Sequence, residues 1–569
     1  MNKTVKYLLF VFVVLFLAKS VFSLTIPAPH IWSDEYMYAK MAQGIFYDGE
    51  ISVHGVLIAA QPPLYPLALS PAYFFSSMAA TYKAMKIINS LISSLIMFPV
   101  FFLAREVLNR KRALLCAAMA AILPASFSFS PYLMAENLFF PLFMLTMFFL
   151  YKARLENSYK FCILAGISTG LLVITKIIGL AMLPLPLLAG IYFVWRNHNA
   201  AFELKQLAAY YLPAVLVVLP WIIIKGKHIG YAASGQLGAY APIFTTFIRH
   251  KYFFQPLVAW IMLYAGYVVL ATGVVFAVYA AAFAASGDRK TKLLFGLSAL
   301  AMFFFILAAA NSSASGVHYY SSPFKWFTER PVGRYVDMLL PLVLILGFKG
   351  FEMQKDKGNG HAAKLAALFS LLLAFSAQLT IAPLFPLNNL SLSYLGAFKY
   401  LLEFLLFGKA SFDAAFSWQS FLIIAAALAA IPIIFFALHK RLKFSSLFIA
   451  ALIFFLAVNA LNYAIAYERA AEFSENEQMQ LGRWLAENGN ESVPVFFDSR
   501  DSGVLIKTNA IMQKAKEGHF VTITGFWLKN KIGAWDGAEL PENVYIISRQ
   551  ALEANILKDF NGLRLYKTS

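Results

Sequence analysis

The stretch IWSDEYMYAKMAQGIFYDGEISVHGVLIAAQPPLYP, residues 31–66, decides how the rest of the chain is interpreted. It follows the first apolar segment and contains two adjacent acids, Asp34 and Glu35, among apolar and aromatic residues. Ionisable groups beside a membrane are costly and tend to mark functional sites. The structural alternative is that Asp34 caps a short helix beginning at Glu35, because Asp is a preferred N-cap residue.

The chain has the composition of a membrane protein. Its 569 residues are 60% hydrophobic and 13% charged, whereas soluble domains carry about 25% charged residues. The formal net charge is +18, but the basic clusters lie in short loops between apolar segments, as the positive-inside rule describes. We therefore expect a multi-pass protein of the lipid bilayer that binds no nucleic acid. Cys116 and Cys162 lie in apolar runs, so neither a disulfide framework nor a CxxC metal site is predicted.

Apolar segments predict about thirteen transmembrane helices, each of about 20 residues. The first follows Lys3 and Lys6. It is interpreted as a retained helix rather than a signal peptide cleaved near Ser23, because a multi-spanning protein needs no separate signal. The other predicted helices cover residues 85–105, 112–128, 133–152, 160–177, 179–195, 207–225, 257–284, 293–310, 335–351, 364–384, 419–438 and 444–466.

The connectors between these segments predict the orientation. Those on one side are basic, which assigns that side and the N-terminus to the cytoplasm. The basic connectors are residues 105–112, 151–154, 195–197, 287–292, 349–364 and 439–443. The opposite connectors, predicted to be extracytoplasmic, are residues 24–83, 126–132, 175–176, 226–256, 311–334 and 385–418. We therefore expect any chemistry on the extracytoplasmic side. The turn at 175–176 is interpreted either as a tight turn or as the middle of one kinked pair.

The tail is predicted to be a separate small α/β domain. Residues 1–466 form the transmembrane domain, with 24–83 as its catalytic outer loop, and residues 467–569 form an extracytoplasmic domain. Helical spacing is seen at 475–488, and short strands are predicted at 493–498, 520–523, 544–547 and 563–566. The predicted fold class is therefore mainly α, a polytopic helical bundle with a small C-terminal α/β domain.

Acids and cations are predicted to meet on the extracytoplasmic side. Glu136 lies at the start of the fourth helix, and an acid there must be either paired or used. Basic residues of the same side include Lys83, Lys176, Arg330 and Arg334. Such a set suits a reaction whose donor carries a phosphate and whose acceptor must lose a proton. The structural alternative is that the arginines reach to the interface and that Glu136 pairs with one of them. Walker, GxGxxG and HExxH motifs are absent from the sequence.

Four motifs resemble those of the GT-C superfamily of membrane glycosyltransferases. They are SDEYMYAKMA (33–42), QPPLYPL (61–67), MAENLFFPLF (134–143) and ERPVGRYVDMLLPL (329–342). Their order and spacing are similar to those of the branch that holds protein O-mannosyltransferases and the aminoarabinose transferase of lipid A. The resemblance implies transfer of a sugar from a dolichyl- or undecaprenyl-type polyprenyl-phosphate donor to a protein, lipid or glycan acceptor.

The same resemblance implies roles for individual residues. Asp34 is the general base, Glu35 positions it or the acceptor, and Glu136 assists in binding or orients a metal. The donor phosphate is assigned to Arg330, Arg334, Lys83 and Lys176. The acceptor or lipid groove is assigned to Tyr36, Tyr38, Gln61, Tyr65, His318 and Tyr335. An Asp-x-Asp metal motif is absent from the first outer loop, where Asp34–Glu35 stands instead, so dependence on a divalent metal ion is left open and no other cofactor is predicted. A Trp-Trp-Asp motif is lacking, which disfavours transfer of a whole oligosaccharide to asparagine.

Two other classes of protein are left open. A lipid-glycan transporter, polymerase or ligase would have broken helices with paired charges and internal repeats. A non-catalytic envelope assembly protein would tolerate the loss of the Asp34 carboxylate but not the loss of the tail.

Overall fold

The computed structural model is mainly helical with a small C-terminal sheet, which confirms the predicted fold class. It describes residues 3–29, 33–57, 61–196, 199–227, 254–283, 288–314, 332–357, 361–378, 389–409, 417–438, 441–501 and 520–568. Within them, nine helices are long and apolar enough to cross a membrane, or ten if one bent pair counts as a single span. The predicted number of thirteen is not confirmed.

The helix bounds are as follows. The first eleven helices are α1 Lys3–Leu24, α2 Ser33–Asp48, α3 Leu64–Leu69, α4 Met78–Ser94, α5 Met97–Ala104, α6 Arg110–Ile122, α7 Pro124–Phe127, α8 Glu136–Glu156, α9 Tyr159–Val173, α10 Pro184–Trp195 and α11 Ala200–Lys227. The others are α12 Phe254–Ala271, α13 Val275–Phe283, α14 Arg289–Ala314, α15 Leu340–Lys357, α16 His361–Gln378, α17 Ser393–Phe407, α18 Trp418–Leu438, α19 Phe444–Ser474, α20 Glu477–Asn488 and α21 Phe520–Trp527.

Several predicted segments differ from these helices. The segment predicted at 112–128 divides into α6 and the short α7, because Pro124 starts a new turn. The connector predicted at 385–418 contains α17, which is part of a candidate span Leu390–Phe407. Lys399 and Glu403 lower the hydropathy of that segment, but their side chains pair at 3.3 Å across one helical turn. The pairing lets this helix carry two charged side chains into a largely buried face.

The chain divides into two compact units. The first, here called the bundle unit, consists of Met1–Phe16, Ile92–Phe129 and Glu136–Tyr463. The second, here called the loop–tail unit, consists of Leu17–Leu91, Ser130–Ala135 and Ala464–Ser569. The predicted outer loop 24–83 thus belongs to the same compact unit as the tail.

Ion pairs join connectors at one end of the bundle unit. Glu106 accepts from Lys152 at 3.3 Å and from Lys290 at 3.4 Å. Glu352 pairs with Arg112 and lies 3.7 Å from Lys349. These residues come from four of the connectors predicted to share the cytoplasmic side, and the pairs bring those connectors together.

Helices α12 and α13 form a pair bent by 109°. The break falls at Thr272–Val274, where Gly273 has φ 71° and Val274 has φ 67°. Glycine adopts this left-handed conformation readily, but valine does so at a cost. One continuous helix was predicted over 257–284, and that prediction is wrong.

The loop–tail unit is built on α2 and a β-hairpin that follows it. Strand β1 is Ser52–Val53 and strand β2 is Val56–Leu57, and they pair antiparallel. The two residues between them, His54 and Gly55, have φ of 50° and 83°. Positive φ at both central positions is the signature of a type I′ turn, which suits a tight hairpin.

The tail contains a five-stranded mixed sheet of order β4-β3-β5-β7-β6. Its strands are β3 Val495–Asp498, β4 Ile532–Trp535, β5 Tyr545–Ser548, β6 Asn555–Phe560 and β7 Leu563–Lys567. β3 is parallel to β4 and β5, and β7 is antiparallel to β5 and β6. Helix α20 packs on one face through Leu481 and Leu485. The helix predicted at 475–488 and three of the four predicted strands are confirmed.

The fourth predicted strand, at 520–523, is wrong. These residues begin α21, and Thr524 of this helix donates its hydroxyl to the Gln478 carbonyl oxygen of α20 at 3.1 Å. The run of β-branched and aromatic residues predicted a strand from local preference. Packing against a neighbouring helix overrides such a preference.

Candidate active site

The adjacent acids lie in the first turn of α2 in the loop–tail unit. Because α2 begins at Ser33, Asp34 lies inside the helix and not at its N-cap. Asp34 is half-buried, whereas Glu35 is 1% exposed. Carboxylates in a first helical turn are favoured by the partial positive charge of the helix N-terminus. The Leu133 N–H donates to Glu35 Oε1 at 2.9 Å, which fixes this turn against the segment Ser130–Ala135.

The predicted groove tyrosines of this unit are buried. Tyr36 and Tyr65 are fully enclosed, and Tyr38 is 6% exposed. Tyr38 and Tyr65 pack edge to face with ring centroids 5.0 Å apart, and the Tyr65 hydroxyl donates to Asn89 Oδ1 at 2.8 Å. Gln61 is half-buried at the start of the turn that precedes α3. Tyr38 and Tyr65 thus form one buried aromatic contact between α2 and α3, while Tyr36 packs towards the hairpin.

Lys83 and Lys86 lie one turn apart on α4 but in different environments. Lys83, the predicted phosphate ligand, is exposed. Lys86 is 2% exposed, donates to the Ile26 carbonyl oxygen at 2.7 Å and lies 4.2 Å from the Tyr82 ring centroid. It is also close enough to Glu35 for their charges to interact. Lys86 is therefore a buried cation of this unit that the sequence did not single out.

The bundle unit contains a second group of charged residues, here called the cationic cluster: Glu136, Lys176 and Arg334. Glu136 is the first residue of α8 and is 1% exposed. Lys176 donates to Glu136 Oε1, and Arg334 Nη1 lies 3.6 Å from the same oxygen. The side chains of Lys176 and Arg334 are 18% and 14% exposed. Two partly buried cations therefore face one buried carboxylate.

Tyr335 extends the cationic cluster. Its ring centroid lies 4.9 Å from Lys176 Nζ and 5.7 Å from Arg334 Cζ, so both cations contact one aromatic ring. A cation over an aromatic face gains electrostatic stabilisation without being neutralised. The arrangement therefore holds the two cations side by side against one aromatic ring.

A buried carboxyl group follows the cationic cluster in sequence. Asp337, in the turn before α15, accepts at Oδ1 from the Tyr267 hydroxyl and from Ser391 Oγ, each at 3.0 Å. Burial raises the pKa of Asp337 to about 8; the two hydrogen bonds oppose the shift and the charge of Glu136 adds to it. Burial therefore favours the neutral form of the Asp337 carboxyl group.

Four predicted site residues of the bundle unit lie together in the structure: Glu136, Lys176, Arg334 and Tyr335. Arg330 and His318 lie outside the described residues. Sequence reasoning missed Asp337, although it stands in the ERPVGRYVDMLLPL motif. The signal was available: an acid two residues after Tyr335, at the start of an apolar helix, has no favourable membrane environment and must be buried or paired.

No three His, Cys, Asp or Glu side chains converge as a metal site among the residues that the structure describes. Asp34 and Glu35 are adjacent on one helix. Glu136 already binds two cations. The role of a divalent metal ion stays a prediction of the sequence.

Part of the chain matches a known protein family, and its fold matches that of a solved structure. Residues 61–224 match the family model described as dolichyl-phosphate-mannose-protein mannosyltransferase. The structure of ArnT from Cupriavidus metallidurans bound to undecaprenyl phosphate is similar with a TM-score of 0.55 and 13% identity, over 98% of this chain and 97% of that chain. The chain shares the GT-C fold. Its resemblance to GT-C membrane glycosyltransferases is thereby confirmed, in fold over nearly the whole chain and in sequence over residues 61–224.

A second ArnT structure, in the apo state, gives the same result for the GT-C fold. Its TM-score is 0.54 at 13% identity, over 97% of each chain. No curated protein sequence matches the chain significantly. With its apolar helices and this fold, the chain is a multi-pass membrane protein.

Proposed function

We propose that this protein is a membrane glycosyltransferase that moves a sugar from a polyprenyl-phosphate donor to an acceptor on the extracytoplasmic face. The GT-C fold and the family match over residues 61–224 support the class of reaction. One ArnT structure of the same fold is bound to undecaprenyl phosphate, which supports a polyprenyl-phosphate ligand. The basic connectors support the extracytoplasmic assignment.

The observation that carries the proposal is that two cations, Lys176 and Arg334, meet at one carboxylate and one aromatic ring. Both cations contact the carboxylate of Glu136, which holds them side by side. A phosphate accepts charge-assisted hydrogen bonds from lysine and arginine, and arginine in particular forms paired bonds with it. We assign the donor phosphate to Lys176 and Arg334, with Glu136 holding the two cations in place.

The proposed reaction is a displacement at the anomeric carbon of the donor sugar. The acceptor hydroxyl oxygen forms a bond to this carbon while the bond from the carbon to the phosphate oxygen breaks. The electron pair leaves with the polyprenyl phosphate, whose developing charge Lys176 and Arg334 stabilise. The acceptor proton passes to a base, and the resemblance assigns this role to Asp34.

Glu35 has a positioning role in this proposal. Its bond from the Leu133 N–H anchors the first turn of α2, in which Asp34 lies. A base must be held within hydrogen-bond reach of the proton it takes. Loss of the Glu35 carboxylate should therefore reduce the rate of transfer more than the affinity for the donor.

The bent pair α12–α13 bears on the transporter alternative. That alternative predicts broken helices with paired charges, and this pair is broken by 109°. The sequence from Phe254 to Phe283 contains no charged residue. A break without charged side chains lacks the ion-coupling groups expected in a transporter, so we retain the transferase.

The test is transfer of radiolabelled sugar from polyprenyl-phosphate sugars to membrane extracts by the purified protein. We expect labelled product with the wild type and a loss of about 100-fold or more with Asp34→Asn, the size typical of a lost general base. The control is Glu50→Gln, which removes an exposed acid of the same loop and should transfer normally. Equal rates for Asp34→Asn and wild type would refute the base, and no product from any donor would refute the proposed function.

A further inference from the structure

A cavity of about 330 Å³ lies in the loop–tail unit. Its walls come from α2, from the β1–β2 hairpin and from two loops of the tail, residues 491–492 and 529–531. The volume is in the range of small-molecule sites, which begins at about 300 Å³. The motifs that carry the proposed function do not account for these lining residues beyond Lys40.

Three lysines and two acids line this cavity: Lys40, Lys529 and Lys531, with Asp48 and Glu491. The side chain of Lys529 is 7% exposed and is paired with Glu491 at 3.5 Å. Lys40 is 1% exposed, and its Nζ donates to the Leu528 carbonyl oxygen at 2.6 Å and to Gln43 Oε1 at 3.1 Å. Both acceptors are uncharged. Among the described residues, no carboxylate lies within ion-pair distance of Lys40.

Burial and then the charge of Lys529 lower the pKa of Lys40 well below its usual range, while Glu491 opposes the shift. An enclosed ammonium group next to a second one is costly unless an anion joins them. A negatively charged ligand in the cavity would remove that cost. The lysines therefore point to an anionic group.

The β1–β2 hairpin wall supplies two polar atoms without hydrogen-bond partners among the described residues, Ser52 Oγ and His54 Nε2. Ser52 is 1% exposed. His54 Nδ1 lies 2.8 Å from the Asn530 carbonyl oxygen. Because a carbonyl oxygen only accepts, the imidazole proton is on Nδ1, and Nε2 of the neutral ring is an acceptor. This wall therefore suits a ligand that also carries hydroxyl groups.

We propose that this cavity binds an anionic sugar, a carbohydrate with a carboxylate or phosphate group. The anion lies at Lys40, Lys529 and Lys531, and hydroxyl groups bond to His54 Nε2 and Ser52 Oγ. This site goes beyond the proposed transfer reaction, and its binding can be measured without any turnover.

The experiment is equilibrium binding by calorimetry to the full-length protein in detergent. The probes are glucuronate and glucose-6-phosphate, which separate carboxylate from phosphate, with glucose and inorganic phosphate as references. We expect at least one anionic sugar to bind at least about tenfold more tightly than either reference. Glucose lacks the anionic group, and inorganic phosphate lacks the sugar hydroxyl groups. Equal affinity for glucose, or for inorganic phosphate, would overturn the proposal, as would the absence of binding by both anionic sugars.

Two variants locate the binding. Lys531→Gln removes an exposed charge, and Ser52→Ala removes a hydroxyl that has no hydrogen-bond partner in the described part of the chain, so neither should disturb folding. Each should weaken binding of the anionic sugar by about threefold to tenfold. The matched control is Lys567→Gln, an exposed lysine of the same domain that does not line this cavity. Wild-type affinity in both test variants, or equal weakening in the control, would refute the assignment.

Discussion

Glu136 is the residue on which the charge balance of the cationic cluster depends. Its buried carboxylate pairs with Lys176 and lies 3.6 Å from Arg334 Nη1. Glu136→Gln would remove the carboxylate that both partly buried cations contact. We expect a loss of about 2–3 kcal/mol, somewhat below the usual cost of breaking a buried pair because both cations keep some access to water. Thermal unfolding of the purified protein measures the loss.

The control for this prediction is Glu156→Gln at the other end of α8. Glu156 pairs with Lys152, but its side chain is 43% exposed. Removing such a surface pair should cost less than about 1 kcal/mol. If the two variants were equally stable, Glu136 would not hold the cluster together.

His54 predicts a pH dependence of stability. Burial and, to a smaller extent, the charge of Lys40 lower the pKa of His54 to about 3, although the hydrogen bond with the Asn530 backbone opposes the shift. The pKa of an unfolded histidine is about 6.5. Below about pH 6.5 the unfolded chain binds a proton that the folded chain does not. Stability should therefore fall as the pH falls from about 6.5 towards 3, by up to about 1.4 kcal/mol per pH unit.

The variant His54→Asn isolates this effect. Asparagine accepts the positive φ of this position, and Asn-Gly suits the type I′ turn. Unfolding midpoints measured between about pH 7 and pH 5 should decline less steeply for the variant than for the wild type. Parallel declines would show that His54 is not the titrating group.

At the residue scale, the sequence identified the charges but not which of them are buried. We could predict Glu136, Lys176 and Arg334 as one group because alternate connectors lie on the same side of the membrane. Lys83 and Lys86 could not be separated, since each lies in an apolar helix and only packing shows that Lys86 faces inwards. Whether Asp34 acts as a base stays a prediction.

At the element scale, the close packing of α9 on α11 depends on two glycines, Gly166 and Gly170. A Cβ at Gly166 would lie 2.1 Å from the Tyr210 carbonyl oxygen, and one at Gly170 would lie 2.7 Å from Val217 Cβ. Small residues four apart let membrane helices approach closely. Gly166→Ala should therefore force the two helices apart and lower the unfolding midpoint by several degrees.

The matched control is Gly296→Ala on α14. A Cβ there meets no atom within 4 Å, and alanine is the better helix former by about 1 kcal/mol. This variant should be neutral or slightly stabilised in the same unfolding assay. A midpoint for Gly166→Ala at or above that of Gly296→Ala would contradict the packing argument.

The correctly predicted elements are those whose apolar residues recur with the period of the helix or strand that they form and pack in the core. Helix α20 has apolar residues at helical spacing, and β3, β5 and β7 have short apolar runs bounded by polar turns. The prediction failed where tertiary contacts decide: at Gly273, where a continuous apolar run breaks, and at 520–523, where α21 packs on α20. Apolar composition alone does not encode either outcome.

At the scale of the whole molecule, the basic connectors predict which side faces the cytoplasm. Lys111→Cys should react with a membrane-impermeant maleimide only after permeabilisation of cells, and Lys567→Cys should react in intact cells. Both positions are exposed, whereas the native Cys116 and Cys162 are buried and give little background. Labelling of Lys111→Cys in intact cells would invert the proposed orientation.

The mainly α fold and the small C-terminal α/β part could be predicted from hydropathy and composition. The division into units does not follow the order of the chain, because residues 17–91 and 130–135 belong with the tail in one compact unit. Hydropathy detects each segment by itself, but not the polar contacts between distant segments, such as the Lys40 bond to the Leu528 carbonyl oxygen.

The central claim is that the cationic cluster binds the phosphate of a polyprenyl phosphate. The most direct measurement is the affinity of the purified protein for undecaprenyl phosphate, compared between wild type and Arg334→Gln. Lys290→Gln is the control, since Lys290 is 48% exposed and pairs with Glu106. We predict at least about tenfold weaker binding by Arg334→Gln, the worth of one charge-assisted hydrogen bond, and no change in the control. Wild-type affinity in Arg334→Gln would contradict the claim.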